Sequence, residues 1–287
     1  MRAGLANCEL SCDGLDVQPE RDYLLGTHDE ELERLGLQHR VWRPYVLECW
    51  SRAGITVGKR IIDVGAGPGY VTTDLAEIVG PTGEVVAVER SHKFVEALRH
   101  RVQLQRLTNV QVHELDLMID ELPGGDYDFS WCRWVAAFVT DPSLLVKKLS
   151  RVLKTGGVAI FHEYAQYDGW RYCPALPQQE RFRQYVVQSW REAGGNPDSA
   201  PLVVGLLREH GFVVRSARPH IFCITPRDYM WQWPAGFIDV YLPRLREAGT
   251  IDQAFEDAVR AELQQAEAND SLMITPLVLE IIAEKLR

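Results

Sequence analysis

The sequence lacks a basic excess, a long hydrophobic run and a paired cysteine motif. Its formal net charge is −9 over 287 residues, which argues against a nucleic-acid partner because phosphates need a basic face. No apolar run reaches the roughly 18 residues that cross a bilayer, and residues 1–22 carry carboxylates where a signal peptide would be apolar. We therefore expect a cytoplasmic protein with no membrane partner.

The cysteines are few and unpaired in sequence. Six are present, with no C-x-x-C pair and no framework of the kind found in small secreted domains. We expect free thiols in a reducing compartment and no metal site. The densest basic stretch, 99–106, has helical spacing and is typical of a solvated helix face.

Short apolar segments alternate with helical or loop stretches through the first half of the chain. Such alternation is typical of a parallel sheet with helices on both faces, and the 46% hydrophobic content is enough for a large core. The predicted strands are 61–64, 85–88, 110–112, 129–132 and 158–161.

A glycine turn follows the first predicted strand directly. Gly65, Gly67 and Gly69 alternate with other residues after Asp63, and glycine allows both positive φ and a close approach of the main chain to a ligand. The second strand ends in Glu89, whose carboxylate can accept both hydroxyls of a ribose. Since ligands of parallel sheets bind at the carboxyl ends of the strands, the turn and the acid indicate a nucleotide-like ligand.

The segment Asp63-Val64-Gly65-Ala66-Gly67-Pro68-Gly69, followed by Glu89 and Asp116, resembles the class I S-adenosylmethionine-dependent methyltransferases, in particular the UbiE-like small-molecule group. The resemblance covers about residues 20–165 and, more loosely, the rest. It implies a Rossmann-like α/β fold: a seven-stranded, mostly parallel sheet with helices on both faces and a helical cap from the N-terminus and C-terminal insertions. It also implies S-adenosyl-L-methionine as cofactor and a small-molecule acceptor, hydrophobic or aromatic.

The resemblance assigns roles around the cofactor. The glycine turn holds its methionine part, Glu89 and Arg90 lie at the ribose and adenine, and Asp116 with Leu117 reads the adenine amino group. Arg133 and Trp134 border methionine and acceptor, and Tyr23 folds over the cofactor or is an ordinary packed aromatic. The expected cofactor-binding residues are Tyr23, Asp63, Gly65, Ala66, Gly67, Gly69, Glu89, Arg90, Asp116, Leu117, Arg133 and Trp134.

The implied chemistry is in-line attack by an O, N or C atom of the acceptor on an electrophilic methyl group. The protein then contributes mainly positioning and exclusion of water. A general base helps if the acceptor is a hydroxyl, and Glu163 and His162 are the candidate catalytic residues at the end of the fifth strand. Because strand side chains alternate, His162 could instead face away from the acceptor.

The chain divides by pattern into a core and its coverings. Helical spacing in 28–53 is broken by Gly36 and Pro44, which favours two or three helices there. Trp170, Trp190 and Trp231, like Trp233, are more typical of core than of pocket wall, although one or two of them could shape the pocket. The expected segments are a flexible tail (1–22), an N-terminal helical cap (23–58), the cofactor-binding core (59–165), a cap insertion (166–198), the core continued (199–224), a helical insertion (225–275) and an antiparallel final strand (276–287).

Two other functions share the main signals. An NAD-dependent oxidoreductase would use the same strand, turn and acid, although Tyr70 stands where the third glycine of G-x-G-x-x-G belongs. A noncatalytic S-adenosylmethionine-binding protein would keep the glycines and Glu89 but lack an open acceptor cavity. The sequence does not decide the oligomeric state, for which a homodimer is one option.

Overall fold

A computed structural model describes residues 29–286 of the chain. Its helices are α1 (Asp29–Ala53), α2 (Tyr70–Val79), α3 (His92–Leu104), α4 (Pro142–Val152), α5 (Pro177–Glu192), α6 (Ser199–Glu209), α7 (Gln232–Glu247) and α8 (Gln253–Ala268). Its strands are β1 (Arg60–Val64), β2 (Glu84–Glu89), β3 (Val110–Glu114), β4 (Tyr127–Arg133), β5 (Leu153–Gln166), β6 (Arg171–Cys173), β7 (Phe212–His220), β8 (Cys223–Ile224), β9 (Leu272–Ile274) and β10 (Leu277–Lys285).

Seven strands form the main sheet in the order β3-β2-β1-β4-β5-β10-β7. The first five are parallel to their neighbours, and β10 lies antiparallel between β5 and β7. The strand order reverses beside β1, so the carboxyl ends of β1, β2 and β4 open a crevice where ligands bind in such sheets. The predicted Rossmann-like fold and its antiparallel final strand are confirmed.

Both faces of this sheet are covered by apolar side chains. Ile160 of β5 is buried on one face beneath α1, α5 and α7, whereas its neighbour Phe161 is buried on the other face beneath α4 and α6. This alternation is the two-residue period of a strand. In the described part of the chain, no helix is both long enough and apolar enough to cross a membrane.

The first helix is continuous, and the prediction of two or three helices over 28–53 was wrong. Helix α1 runs through Pro44, which lies on its exposed side together with Arg40. The carbonyl that loses its hydrogen bond to the proline therefore faces water, which reduces the cost of the break. Trp42, Val46 and Trp50 are fully or almost fully buried on the opposite side, and this packing keeps the helix in one piece.

The end of the seventh strand also differs from the pattern. Strand β7 ends at His220, and β8 joins a separate three-stranded sheet in the order β6-β9-β8, although both lie within the segment 199–224 that the sequence assigned to the core. Pro219 is accommodated in β7 because that strand lies at the sheet edge, where a missing N–H is tolerated. The small sheet was not predicted, since its strands have only two or three residues and come from distant segments.

Candidate active site

A cavity of about 240 Å³ opens at the carboxyl ends of β1, β2 and β4. Helices α1 and α7 contribute walls on the side away from the sheet. The cavity has two parts, a polar one around the glycine turn and an aromatic one beneath α5 and α7. We call them the cofactor half and the acceptor half.

The three glycines of the turn have different reasons to be glycine. All have positive φ, of 68° at Gly65, 56° at Gly67 and 84° at Gly69. A Cβ at Gly65 would lie 2.3 Å from Val135, and one at Gly69 would lie 2.1 Å from Leu98, whereas a Cβ at Gly67 would meet nothing within 4 Å. Gly67 therefore faces open cavity, and Gly69 begins α2 without lining the cavity.

Glu89, at the end of β2, is hydrogen-bonded both to the glycine turn and to the residues that follow β2. Its Oε2 accepts the N–H of Gly67, and its Oε1 accepts the N–H groups of Arg90 and Ser91, each at 2.9 Å. Burial raises the pKa of this carboxyl, and the three N–H donors oppose the rise. The carboxylate is thus held at the cavity wall in one orientation.

Asp63 and Arg133 lie at the base of the cavity as buried groups of opposite charge. Burial raises the pKa of Asp63 to about 7, although Thr72 donates a 2.6 Å hydrogen bond to it. Burial also lowers the pKa of Arg133 to about 10. Within residues 29–286, Nη1 of Arg133 has no hydrogen-bond partner. A buried cation with an unsatisfied N–H is costly, so the site is suited to an anionic group of a ligand.

The turn after β3 contributes the remaining polar wall. Asp116 and Leu117 line the cavity, and Arg90 lines it from an exposed position. Oδ1 of Asp116 accepts the N–H of Met118 at 2.8 Å, and the N–H of Asp116 donates to Asp120 at 2.8 Å. These two bonds fix the turn that presents Asp116.

The acceptor half is walled by aromatic rings. Trp134, Tyr164 and Trp233 are close to parallel, with interplanar angles of 16°, 20° and 4° and ring centroids 5.7 to 6.5 Å apart. Trp190 and Phe237 complete the wall, edge to face with each other. In the described residues, the indole N–H groups of Trp134 and Trp190 are buried without a hydrogen-bond partner.

Trp134 is held in an unusual backbone conformation at the junction of the two halves. Its φ is 53°, rare for a bulky residue, and its N–H donates to the carbonyl of His162 at 2.9 Å. Such strain is concentrated at functional sites. Here it turns the chain after β4 so that Arg133 and Trp134 both line the cavity.

The two candidate catalytic residues do not line this cavity. Glu163 is fully buried behind the loop after β4, where it accepts the N–H groups of Val135 (2.8 Å), Ala136 (2.9 Å) and Ala137 (3.3 Å) and the hydroxyl of Ser199 (3.2 Å). This arrangement makes Glu163 an organiser of the loop. His162 lies on the opposite face of β5 from Glu163, the face that also carries Tyr164, and its ring packs with its centre 4.8 Å from that of Trp131 without reaching the cavity. The alternative that His162 faces away from the acceptor side of the sheet was therefore wrong.

Most of the expected cofactor-binding residues line the cavity. Asp63, Gly65, Ala66, Gly67, Glu89, Arg90, Asp116, Leu117, Arg133 and Trp134 all line the cavity, and Tyr23 lies outside the described residues. Sequence reasoning missed Arg34, Leu35 and Gln38 of α1 and Phe237 of α7. Of the four tryptophans for which it favoured the core but allowed one or two in the pocket wall, Trp190 and Trp233 line the cavity. These side chains follow a helical burial pattern that looks the same for a core residue and a cavity wall.

Tyr70, at the place of the missing third glycine, joins the first two helices. Its hydroxyl donates to the carbonyl of Leu32 at 3.0 Å, and the guanidinium of Arg101 lies 3.9 Å from the centre of its ring. Tyr70 also lines the cavity. A glycine at this position would remove both contacts, so the departure from the dinucleotide pattern has a structural purpose here.

The glycine turn, the strand-end carboxylate and the adjoining cavity together define a nucleotide-type cofactor site in a Rossmann-like sheet. Residues 55–191 match a methyltransferase domain family model. The chain is an S-adenosylmethionine-dependent methyltransferase that is similar to the UbiE-like group, and its cofactor is S-adenosyl-L-methionine.

Its curated relatives carry related names. The chain is 26% identical over 189 residues to a ubiquinone/menaquinone biosynthesis C-methyltransferase UbiE of Vibrio campbellii, covering 61% of this chain and 71% of that protein. It is 28% identical over 203 residues to a demethylmenaquinone methyltransferase of Geobacillus kaustophilus, covering 66% of this chain and 84% of that protein.

Solved structures share the fold at lower identity. A geranyl diphosphate C-methyltransferase from Streptomyces coelicolor superposes with a TM-score of 0.53 at 16% identity, covering 90% of this chain and 86% of that one. The [4+2]-cyclase SpnF gives a TM-score of 0.53 at 17% identity, covering 83% of this chain and 78% of that one. A cyclase with this fold shows that the fold alone does not specify the reaction.

Proposed function

We propose that the chain methylates a flat, uncharged aromatic metabolite, and that the acceptor ring lies among Trp134, Tyr164 and Trp233. The observation that carries the proposal is the continuity of the two halves of the cavity. Among residues 29–286, the carboxylates that line it are Asp63, Glu89 and Asp116, which are strand-end or turn residues of the cofactor half. Within this part of the chain the acceptor half therefore offers no anion to an amine, whereas its rings suit stacking.

The names of the relatives agree with such an acceptor. They act in ubiquinone or menaquinone biosynthesis or on demethylmenaquinone, and a quinone or hydroquinone ring is flat, apolar and edged by oxygen. The indole N–H groups of Trp134 and Trp190 suit those oxygens, since a buried donor without a partner is costly. We therefore place the acceptor in this chemical class and a ring carbon as the methylated atom.

We further propose how the chain holds the cofactor. Gly67 has a positive φ and no atom within 4 Å of the position of a Cβ, so the methionine part can lie directly against its main chain. Glu89 accepts the ribose hydroxyls. Asp116 lies at the adenine. Arg133 pairs with the carboxylate of the methionine part, which satisfies its open Nη1. When bound, this cofactor supplies an electrophilic methyl group on a sulfonium.

The contribution of the protein to the reaction is then positioning and exclusion of water. The aromatic wall holds the acceptor atom in line with the methyl group, which converts a bimolecular encounter into an intramolecular one. It also removes water from the charged centre. Glu163 acts at a distance, by holding the loop that carries Trp134, and we assign it no proton transfer.

The test is a product assay combined with a binding comparison. Enzyme with methyl-labelled cofactor is incubated with naphthohydroquinones, phenols and aromatic amines, and products are analysed by mass spectrometry. Carbon methylation of a hydroquinone is expected. Methylation of amines alone, or none with any aromatic acceptor, would overturn the assignment of the acceptor.

The role of Arg133 is tested separately. Arg133→Met should weaken binding of S-adenosylhomocysteine about 10- to 100-fold, as expected for a lost charge-assisted contact. It should leave 5′-methylthioadenosine, which has no carboxylate, nearly unchanged. Equal losses for both ligands in calorimetry would remove the carboxylate assignment without affecting the acceptor proposal.

A further inference from the structure

Outside the cavity, the structure brings three side chains of metal-binding type together. Cys49 of α1, His162 of β5 and Glu280 of β10 are buried, and one potential ligand atom of each lies within 4.8 Å of the others. They are separated by more than a hundred residues in sequence, so the absence of a C-x-x-C motif did not reveal them. Trp131, which lines the cavity, packs against His162 and so connects this cluster with the cavity wall.

The imidazole of His162 points to a ligand. It is completely buried, and neither of its ring nitrogens makes a well-formed hydrogen bond within the described part of the chain. Its Nε2 lies 3.4 Å from Oε2 of Glu280. Burying a ring whose two nitrogens have no hydrogen-bond partner costs free energy of folding. A metal bond to Nε2 would give one of the two nitrogens a partner.

The spacing suits tetrahedral coordination. With metal–ligand bonds of about 2.0–2.1 Å, as zinc makes to nitrogen and oxygen, two ligand atoms of a tetrahedron lie about 3.3–3.4 Å apart. The Nε2 atoms of His162 and His220 lie 3.4 and 3.3 Å from Oε2 of Glu280. His220 is thus placed to become a fourth ligand after a small shift, or to leave that position to water.

The surroundings of the carboxylate fit the same arrangement. Arg52 donates a hydrogen bond to Oε1 of Glu280, which leaves Oε2 as the atom between the two imidazoles. Metal-bound carboxylates are commonly oriented by such an outer partner. Arg52 and His220 are the partly exposed members of the group, so they mark the side from which an ion would enter.

We propose that Cys49, His162 and Glu280, with His220 or water as fourth ligand, bind Zn²⁺ in a structural site. A thiolate, an imidazole and a carboxylate are ligands that suit zinc and exclude Mg²⁺ or Ca²⁺, which prefer oxygen alone. On binding, the Cys49 thiol releases its proton to solvent. The ion would join α1, which carries the Arg34 and Gln38 wall of the cavity, to β5 and β10.

The test is metal binding by the full chain after treatment with a chelator. Calorimetry with Zn²⁺ should give one saturable site, and Co²⁺ should produce a thiolate-to-metal absorption band with tetrahedral d–d bands. Cys49→Ser should abolish that band and weaken Zn²⁺ binding about 100-fold or more. The matched control Cys173→Ser, at an exposed cysteine, should keep both.

Further variants keep the test decisive. If Cys49→Ser does not fold, as judged by circular dichroism, Glu280→Gln and His162→Asn should each lose the rise in Tm that Zn²⁺ gives the wild type. Cys8→Ser with Cys12→Ser, outside the described residues, should leave the cobalt band intact. The absence of a stoichiometric site in the wild type, or a thiolate band that survives removal of Cys49, overturns the proposal, and neither result bears on methyl transfer.

Discussion

The two halves of the cavity recognise their ligands by different means. In the cofactor half the wall consists of main-chain N–H groups and carboxylates fixed by short hydrogen bonds, as at Gly67 and Glu89. In the acceptor half it consists of rings packed edge to face or in parallel, and the N–H groups of Trp134 and Trp190 have no hydrogen-bond partner among residues 29–286. Hydrogen bonds of fixed direction select one constant ligand, whereas a ring-lined wall selects by shape and apolar area and accommodates a variable one.

The largest effect is expected at Glu89. Glu89→Ala removes the acceptor that we propose for both ribose hydroxyls and releases the N–H of Gly67. Charged hydrogen bonds contribute about 1.5–3 kcal/mol each, so the affinity for S-adenosylhomocysteine should fall at least about 100-fold in calorimetry. Glu84→Ala, at the opposite end of β2, is the control and should bind normally. Unchanged affinity in Glu89→Ala would contradict the ribose assignment.

A pH-dependent effect is expected at Glu163, which holds the loop after β4 behind the cavity. Burial raises its pKa from 4.5 to about 7. Since the folded state then binds more protons than the unfolded state between about pH 4.5 and 7, the free energy of unfolding should fall by about 3 kcal/mol as the pH rises through that window.

Glu163→Gln tests this effect because glutamine does not titrate. In urea unfolding, the wild type should lose stability relative to the variant between pH 5 and pH 8. Glu247→Gln, at an exposed helix position, should track the wild type at both values. A difference independent of pH would mean that the carboxyl stays ionised throughout.

The glycine turn offers a comparison of stability with binding. Gly69→Ala places a methyl group against Leu98 at positive φ and should cost about 2–3 kcal/mol of stability. Gly67→Ala faces open cavity and should cost only about 1–2 kcal/mol, but it should weaken cofactor binding more. Thermal unfolding and calorimetry on both variants measure the two quantities, and equal losses of affinity in the folded variants would contradict the distinction.

The smallest effect is expected in the acceptor half. Trp233→Leu removes one ring of the parallel wall and should lower kcat/KM for the aromatic acceptor about tenfold, roughly 1.4 kcal/mol, with cofactor affinity changed less than about twofold. Trp231→Leu is the matched control because that tryptophan is buried nearby without lining the cavity. If both variants lose acceptor efficiency equally, the wall has no specific role.

The difference between the two halves also explains which site residues could be predicted from the sequence. The cofactor half lies in short contiguous segments at strand ends, where Asp63, Gly67 and Glu89 are recognised by local spacing. The acceptor half combines the loop after β4 with β5, α5 and α7, and nothing local distinguishes Trp233, which lines it, from Trp231, which does not. The direction of the Glu163 side chain could not be predicted either. Side chains alternate along a strand, and the sequence does not show which face of β5 the loop after β4 covers.

Helix α1 shows the same limit in the fold. Pro44 predicted a break, and only tertiary burial of Trp42 and Trp50 beside the sheet overrode it. Local signals therefore located the elements well where a turn or a strand end fixes the chain. They failed where distant segments pack together, as in the small sheet of β6, β9 and β8.

The most direct test of the account is a crystal structure of the chain with S-adenosylhomocysteine. The ribose hydroxyls should lie within hydrogen-bond distance of the Glu89 carboxylate, with the main chain of Gly67 against the methionine part and the sulfur facing the rings of Trp134, Tyr164 and Trp233. A ribose bound away from Glu89, or a sulfur directed away from those rings, would contradict the division of the cavity into a cofactor half and an acceptor half.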